Sequence, residues 1–169
     1  EYPFLALFCE MNNRAFLVVR GTKSVADAET DISYQQVKNS SGNLVHKGFY
    51  DLYMNVIKPQ LDKLKVIWSK YDSIFIAGHS LGAATAIIAA TEIQAINKIP
   101  QSNLYCLAIA PPRAGSPQFA SRQMNQNYVS LINLADIIPA LPISIMSNFG
   151  AIFFYEHGGQ IITFAHNYQ

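Results

Sequence analysis

The sequence has few charged residues and no long uninterrupted apolar run. Asp, Glu, Lys and Arg make up 14% of the 169 residues, and the net charge is +1. Because both signs are spread along the chain, its composition excludes a nucleic-acid-binding protein and a polybasic membrane patch. No apolar run reaches the roughly 20 residues that a membrane-spanning helix needs. The longest apolar stretch, residues 141–155, is broken by proline, serine, asparagine and glycine.

Cysteine is also scarce. The two cysteines, Cys9 and Cys106, both lie inside apolar runs and are therefore predicted to be reduced core residues. This low count slightly favours an intracellular location, although the compartment stays open. No signal peptide is visible, but the chain begins at Glu1 rather than Met, so that absence says little.

Half of the residues are hydrophobic, which is enough for one domain with a real core. We therefore expect a single domain over residues 1–169. Apolar periodicity predicts an initial hairpin and then alternating strands and helices, ending in a second hairpin. The predicted strands are 4–9, 15–20, 32–36, 73–77, 104–110, 128–134, 152–155 and 160–164, and the predicted helices are 50–70, 81–97 and 117–125. Such alternation predicts an α/β fold with a mostly parallel central sheet and helices on both faces.

One motif carries chemistry. Gly78-His79-Ser80-Leu81-Gly82 follows a predicted strand and opens a predicted helix. G-x-S-x-G in this setting is typical of the nucleophile elbow of α/β-hydrolases. The tight turn requires glycine at 78 and 82, because side chains there would collide. The helix N-terminus would stabilise negative charge that develops beside Ser80 during acyl transfer.

A serine nucleophile needs a base, and histidine suits this role at neutral pH. His79 lies inside the elbow and is expected to point away from the nucleophile. Since the chain order in α/β-hydrolases is serine, acid, histidine, His46 is removed. His157 and His166 remain as candidates.

The acid is expected just after a strand, at the carboxyl edge of the sheet. Asp136 directly follows the strand predicted at 128–134 and is the only Asp after Ser80. Glu92 belongs to a helix body, and Glu156 adjoins His157 with no loop between them. Asp136 is therefore the strongest acid candidate, with a helix-capping or turn role as the alternative.

Several further motifs occur in a fixed order and together resemble the class 3 lipases, the family of the fungal triacylglycerol lipases. This likeness runs from about residue 16 to the end of the chain. Its segments are Val19-Arg20-Gly21-Thr22, Asp31, Val45-His46-Lys47-Gly48-Phe49, Gly78 to Ala84, Pro112-Arg113-Ala114-Gly115, Asn133 to Pro142, His157-Gly158-Gly159 and His166-Asn167-Tyr168.

The resemblance implies an α/β-hydrolase fold and a lipase or esterase that works through an acyl-enzyme, without a metal or cofactor. It implies Ser80 as the nucleophile, Asp136 as the acid and His166 as the base. The backbone N–H groups of Thr22 and Leu81 would form the oxyanion hole. The expected partner is an acyl ester or lipid; the oligomeric state stays open.

The chain departs from the family in its lid region. Residues 24–30 lack the tryptophan and large apolar residues of the fungal enzymes, so we expect only weak contact with lipid interfaces. From the resemblance we also expect this sequence to lack elements that precede the first strand in longer family members. The apolar segment after the acid loop is a candidate wall of the acyl site, with core packing as the alternative. Its candidate residues are Ile143, Met146, Phe149 and Phe153.

Two other functions use the same fold. One is a non-catalytic binding or structural protein, because fold alone does not imply activity. The presence of Ser80, Asp136, His166 and Thr22 argues against it. The other is acyl transfer to an alcohol, which would use the same residues as hydrolysis.

Overall fold

The computed structural model describes residues 5–21, 35–124, 127–148 and 151–165, with the backbone alone at Met146 and Asn148. Ten strands and four α-helices form within these ranges. The strands are β1 (Ala6–Met11), β2 (Arg14–Val19), β3 (Gln36–Lys38), β4 (Leu44–His46), β5 (Ser73–His79), β6 (Leu104–Ile109), β7 (Asn127–Asn133), β8 (Ile145–Asn148), β9 (Ala151–Phe154) and β10 (Gln160–Phe164). The helices are α1 (Lys47–Leu52), α2 (Lys58–Lys63), α3 (Leu81–Asn97) and α4 (Pro117–Gln123).

Six of the strands form a central sheet in the order β1-β2-β5-β6-β7-β10. Only β1 is antiparallel to its neighbour, because the short turn at Asn12 and Asn13 returns the chain as a hairpin. The pairs β2–β5, β5–β6, β6–β7 and β7–β10 are parallel. The mostly parallel sheet is therefore confirmed, and the carboxyl ends of five strands meet at one edge.

Helix α3 packs closely on the sheet because its inner surface is built from small residues. Ala83, Ala86 and Ala90 are fully buried, and the helix lies against β5 and β6. It thereby covers the alternate residues of these strands, such as Ile74 and Cys106. The short helices α1 and α2 extend the same core with one aromatic and one aliphatic anchor, Phe49 and Leu61. The core of the described residues thus lies on this side of the sheet.

The opposite side of the sheet carries a continuous apolar row. Leu7, Val18, Ala77, Leu107 and Val129 lie side by side across five strands, as the strand register requires. Three of them are substantially exposed: Leu7 by 48%, Val18 by 44% and Leu107 by 39%. Within the described residues this side is therefore less covered than the side that carries α3.

The segment 50–70 is not the single helix that its periodicity predicts. Helix α1 runs into a π-helical turn over Tyr53–Ile57 before α2 begins, and a short 3₁₀ turn, Trp68–Lys70, follows. Pro59 is the second residue of α2, which continues from the π-helical turn without a break, since the Lys58 N–H donates to the Tyr53 carbonyl. The apolar spacing predicted the buried face only in part: Tyr53, Ile57, Leu61 and Trp68 are buried, whereas Val56, Leu64 and Ile67 are exposed.

The predicted final hairpin is wrong. The strand β9 pairs with β8, not with β10, while β10 joins the central sheet parallel to β7. Gly158 and Gly159 form the entry to β10, and Gly159 has a φ of +77°. A side chain at Gly159 would collide with the backbone of Tyr128. These glycines permit close approach to β7, and a hairpin turn was the wrong interpretation of the pair.

The two cysteines differ in their surroundings. Cys106 is buried, and this burial raises the pKa of its thiol to about 12. Cys9 is exposed on the edge strand β1, so the prediction that it is a core residue is wrong. Both thiols are free. Among the helices of the described ranges, none combines the length and apolarity that crossing a membrane would require.

Candidate active site

Ser80 lies at the junction of β5 and α3, at the carboxyl edge of the sheet. Its backbone has φ 55° and ψ −130°, a region that residues with a Cβ atom rarely adopt. Two hydrogen bonds fix this strained backbone: the Ser80 N–H donates to the Ile109 carbonyl, and the Ala83 N–H donates to the Ser80 carbonyl. The sharp turn predicted from the motif is therefore present.

The two elbow glycines are required because a side chain at either position would collide with neighbouring backbone. Neither glycine has a positive φ that would by itself demand glycine. A Cβ atom at Gly78 would collide with the carbonyl of Gly82. A Cβ atom at Gly82 would collide with the carbonyls of Arg20 and Val19 at the end of β2. These contacts explain the G-x-S-x-G spacing, because strand β5, helix α3 and the end of β2 meet within one turn.

Leu81 is the first residue of α3, a helix of 17 residues. The unpaired N–H groups and the positive end of the dipole of a helix this long lie at its N-terminus, next to Ser80. The expectation that the Leu81 N–H helps to stabilise an oxyanion is compatible with this placement. Thr22, the second expected donor, lies outside the described residues.

Asp136 follows β7 at the same sheet edge, two strands away from Ser80. Its N–H donates to the Asn133 carbonyl at 3.0 Å, and its Oδ1 accepts the Ile138 N–H at 3.0 Å. This carboxylate therefore also serves as the turn residue that was considered as its alternative role. A turn role leaves Oδ2 for another partner, so the two roles are compatible.

The loop after Asp136 is clamped by Arg113, a residue to which sequence reasoning assigned no role. Its guanidinium donates to the carbonyls of Ala140 and Pro142, the latter at 2.7 Å, and its N–H donates to the Leu141 carbonyl. The available signal was an arginine in the loop after β6, four residues beyond the end of that strand. Its contact with the acid loop, which follows the neighbouring strand β7, could not be deduced from spacing.

His157 contacts the same loop. Its Nε2 lies 2.7 Å from the Pro139 carbonyl oxygen, so this ring nitrogen carries the proton and donates. Burial lowers the pKa of His157, and the nearby Arg113 charge adds to this effect. A histidine that donates to a carbonyl in this way fits a structural role better than that of a general base.

His46 is also engaged elsewhere. It is 1% exposed, stacks on Phe49 and accepts the Gly48 N–H on Nδ1. Burial lowers its pKa to about 4, so its imidazole is neutral at physiological pH. It caps the N-terminus of α1. His166, the expected base, lies outside the described residues, as do Asp31, Phe149 and the lid segment 24–30.

The acyl-site candidates fall on two different parts of the chain. Ile143 precedes β8 and is 56% exposed. Met146 and Phe153 are opposite each other in the β8–β9 ladder, and Phe153 is half-buried.

Next to the elbow, an open depression of about 470 Å³ is lined by Val18, Ala77, His79, Ile109 and neighbouring backbone.

Substituting Arg113 with glutamine is expected to lower the free energy of unfolding by about 1.5 kcal/mol, because two charge-assisted hydrogen bonds to the acid loop are lost. Arg113→Lys keeps the charge but not the planar fork, so it should recover only part of this loss. Urea unfolding of the three proteins measures the difference. Equal stability of Arg113→Gln and the unsubstituted protein would contradict the clamp.

A serine on a strained strand-to-helix turn over a mostly parallel sheet defines the α/β-hydrolase class. Residues 16–146 match the family model of class 3 lipases, and the chain belongs to this family. The lipase of Rhizomucor miehei is 32% identical over 152 residues, which cover 86% of this chain and 40% of that lipase. The secreted mono- and diacylglycerol lipase A of Penicillium cyclopium is 29% identical over 137 residues, covering 78% of this chain and 44% of the relative.

The solved structures agree with this assignment. The triacylglyceride lipase of Rhizomucor miehei superposes with a TM-score of 0.70 at 28% identity, over 94% of this chain and 60% of that structure. A variant of the Penicillium cyclopium enzyme superposes with a TM-score of 0.71 at 26% identity, over 94% and 57%. The chain thus spans less than half the length of the curated relatives that are named above.

Proposed function

We propose that this protein hydrolyses carboxylic esters of the acylglycerol type through an acyl-enzyme formed on Ser80. The observation that carries the proposal is the strained Ser80 backbone, which raises a hydroxyl at the N-terminus of the long helix α3. Family membership and relatives named as lipases and as mono- and diacylglycerol lipases support it.

In the proposed mechanism, His166 takes the Ser80 proton as the oxygen attacks the ester carbonyl. Asp136 orients the imidazole and stabilises its positive form. The N–H groups of Leu81 and Thr22 donate to the developing oxyanion. His166 then protonates the leaving alcohol, and water releases the acid by the same route. The chain 1–169 would act as one hydrolase domain, with Met146 and Phe153 toward the acyl chain.

Labelling with a fluorophosphonate probe tests this proposal. We expect one phosphonylated residue, Ser80, because only an activated serine hydroxyl attacks such a probe at neutral pH. Peptide mass spectrometry identifies the modified site. Labelling should disappear in Ser80→Ala and persist in Ser130→Ala, a buried serine on β7.

An absence of labelling in the folded protein would instead favour a non-catalytic binding role. If labelling occurs, product analysis with glycerol present separates hydrolysis from acyl transfer. Free fatty acid as the main product supports the proposal, whereas new glycerides as the main product would make the protein an acyltransferase.

A further inference from the structure

The β8–β9 hairpin has one apolar side that faces solvent. In its ladder Ile145 pairs with Phe154 and Ser147 pairs with Ile152, so these four residues share one side. Ile145 and Ile152 are each 61% exposed, and Phe154 is 50% exposed. Phe153 lies on the other side. A hairpin with exposed isoleucine and phenylalanine is unusual for a surface that meets only water.

The base of this hairpin is fixed to the rest of the protein. Tyr155, which follows β9, is 2% exposed, and its N–H donates to the Ser144 carbonyl just before β8. The Glu156 N–H donates to the Gly115 carbonyl. Gln36 donates through Nε2 to the Phe154 carbonyl at 2.7 Å. The exposed side is therefore presented by an anchored element.

The hairpin also lies close along the chain to the proposed acid. It directly follows the loop that carries Asp136, where Ile137 is 60% exposed, and Ile143 between them is 56% exposed. Ile137 and Ile143 are thus further exposed apolar residues on the segment that leads from the carboxyl edge of the sheet to the hairpin.

Charge indicates what kind of surface this side would contact. Residues 123–169 contain Asp136 and Glu156 but no Lys or Arg, although the 169 residues together have a net charge of +1. Anionic membranes attract proteins through clustered lysine and arginine. A segment that is apolar and slightly acidic is suited instead to an uncharged lipid surface, which it would meet through apolar burial.

We propose that the Ile145, Ile152 and Phe154 side of the hairpin binds the protein to uncharged lipid surfaces. This inference rests on the proposed function, because it assigns a lipid contact to the same end of the molecule. It moves the expected lipid contact from the polar segment 24–30 to the hairpin. Ester hydrolysis itself does not require this contact when the substrate is dissolved.

Vesicle flotation in the Ser80→Ala background tests binding without hydrolysis. We expect binding to phosphatidylcholine vesicles that contain diacylglycerol, with little change as salt is raised. Changing Ile145, Ile152 and Phe154 together to threonine should weaken binding at least tenfold. With Ser80 present, the same triple variant should keep its rate on a soluble short-chain ester, so loss of binding and loss of catalysis are separable.

The control triple variant changes Leu64, Ile67 and Met124 to threonine. These residues are 64%, 60% and 60% exposed and lie elsewhere, so total apolar exposure falls comparably while the hairpin is intact. We expect unchanged vesicle binding. Equally weakened vesicle binding in both triple variants would overturn the proposal. So would stronger binding to phosphatidylserine vesicles, if added salt abolished that binding. Conversion of a dimer to a monomer by the hairpin variant, with binding intact, would show instead that the side joins two copies.

A second measurement holds even where the hairpin triple variant does not fold. Ser147 lies on the same side of the hairpin, and Ser147→Cys can carry a polarity-sensitive dye once the exposed Cys9 is changed to serine. Addition of the uncharged vesicles should shift the dye emission to the blue. Bound protein with no shift would overturn the placement of the contact.

Discussion

Replacing Ser80 with alanine is expected to lower kcat for a soluble ester by about 10⁶-fold, the loss seen when a triad nucleophile is removed. The reason is that alanine has no hydroxyl with which to attack the ester carbonyl. Initial rates on a p-nitrophenyl ester, measured at equal concentrations of folded protein, provide the comparison. A rate for Ser80→Ala within tenfold of the unsubstituted protein would exclude Ser80 as the nucleophile.

A second prediction for Ser80 concerns stability and depends only on the backbone conformation of this residue. Alanine retains a Cβ atom, so Ser80→Ala keeps the strain of φ 55° and should unfold at nearly the same temperature. Glycine removes the strain, and Ser80→Gly should be more stable by about 1 kcal/mol after the added flexibility of its unfolded chain is counted. Thermal unfolding of the two variants distinguishes these outcomes.

Ser130→Ala serves as the matched control for both measurements. Ser130 is 2% exposed and lies in the interior of β7, with a long 3.4 Å hydrogen bond to the Gly158 carbonyl. It has ordinary strand geometry and no place at the sheet edge. We expect it to change stability slightly and to leave kcat unchanged. A comparable loss of kcat in Ser130→Ala would mean that the activity reports core packing rather than the serine hydroxyl.

The parts of the fold that follow from local pattern were predictable from the sequence. Helix α3 was predicted with its observed ends, because a run rich in alanine and isoleucine follows the elbow directly; in the structure Lys98, in the left-handed region, ends it. Strands β5 to β7 were predicted within about two residues. The pairing of β10 was not predicted. The pair Gly158-Gly159 indicates a turn, but a turn is compatible both with a strand that folds back on β9 and with one that joins β7.

For the site, sequence reasoning could place single residues but not the contacts between distant segments. The elbow was predictable because its glycines, strand and helix lie within one stretch of chain. The position of Asp136 at the sheet edge was predictable from its place after a strand, whereas its role as the acid stays a prediction. The clamp of Arg113 on the acid loop joins carbonyls 27 and 29 residues away, and no local pattern encodes such a distance. The exposure of one hairpin side likewise depends on what the fold leaves uncovered.

Replacing Asp136 with asparagine is expected to lower kcat about 10⁴-fold, because the imidazole of the base would lose the carboxylate that orients it and stabilises its charge. Asparagine is the informative choice. Its side-chain oxygen can still accept the Ile138 N–H that Asp136 accepts at 3.0 Å, so the turn after β7 is preserved. An alanine at this position would remove the turn contact as well and would confuse the two roles.

The control for this substitution is Glu156→Gln, since Asp136 and Glu156 are the only acidic residues after Glu92. Glu156 is exposed, and its anchoring contact with Gly115 is made by its backbone, which the substitution leaves unchanged. We expect kcat and its pH profile to stay as they are.

If Glu156→Gln lost more activity than Asp136→Asn, the acid would have been assigned to the wrong strand end. If Asp136→Asn kept full activity with unchanged stability, the carboxylate would serve the turn alone. A 10⁴-fold loss confined to Asp136→Asn, with no loss of stability, would assign to this carboxylate a catalytic role beyond the turn.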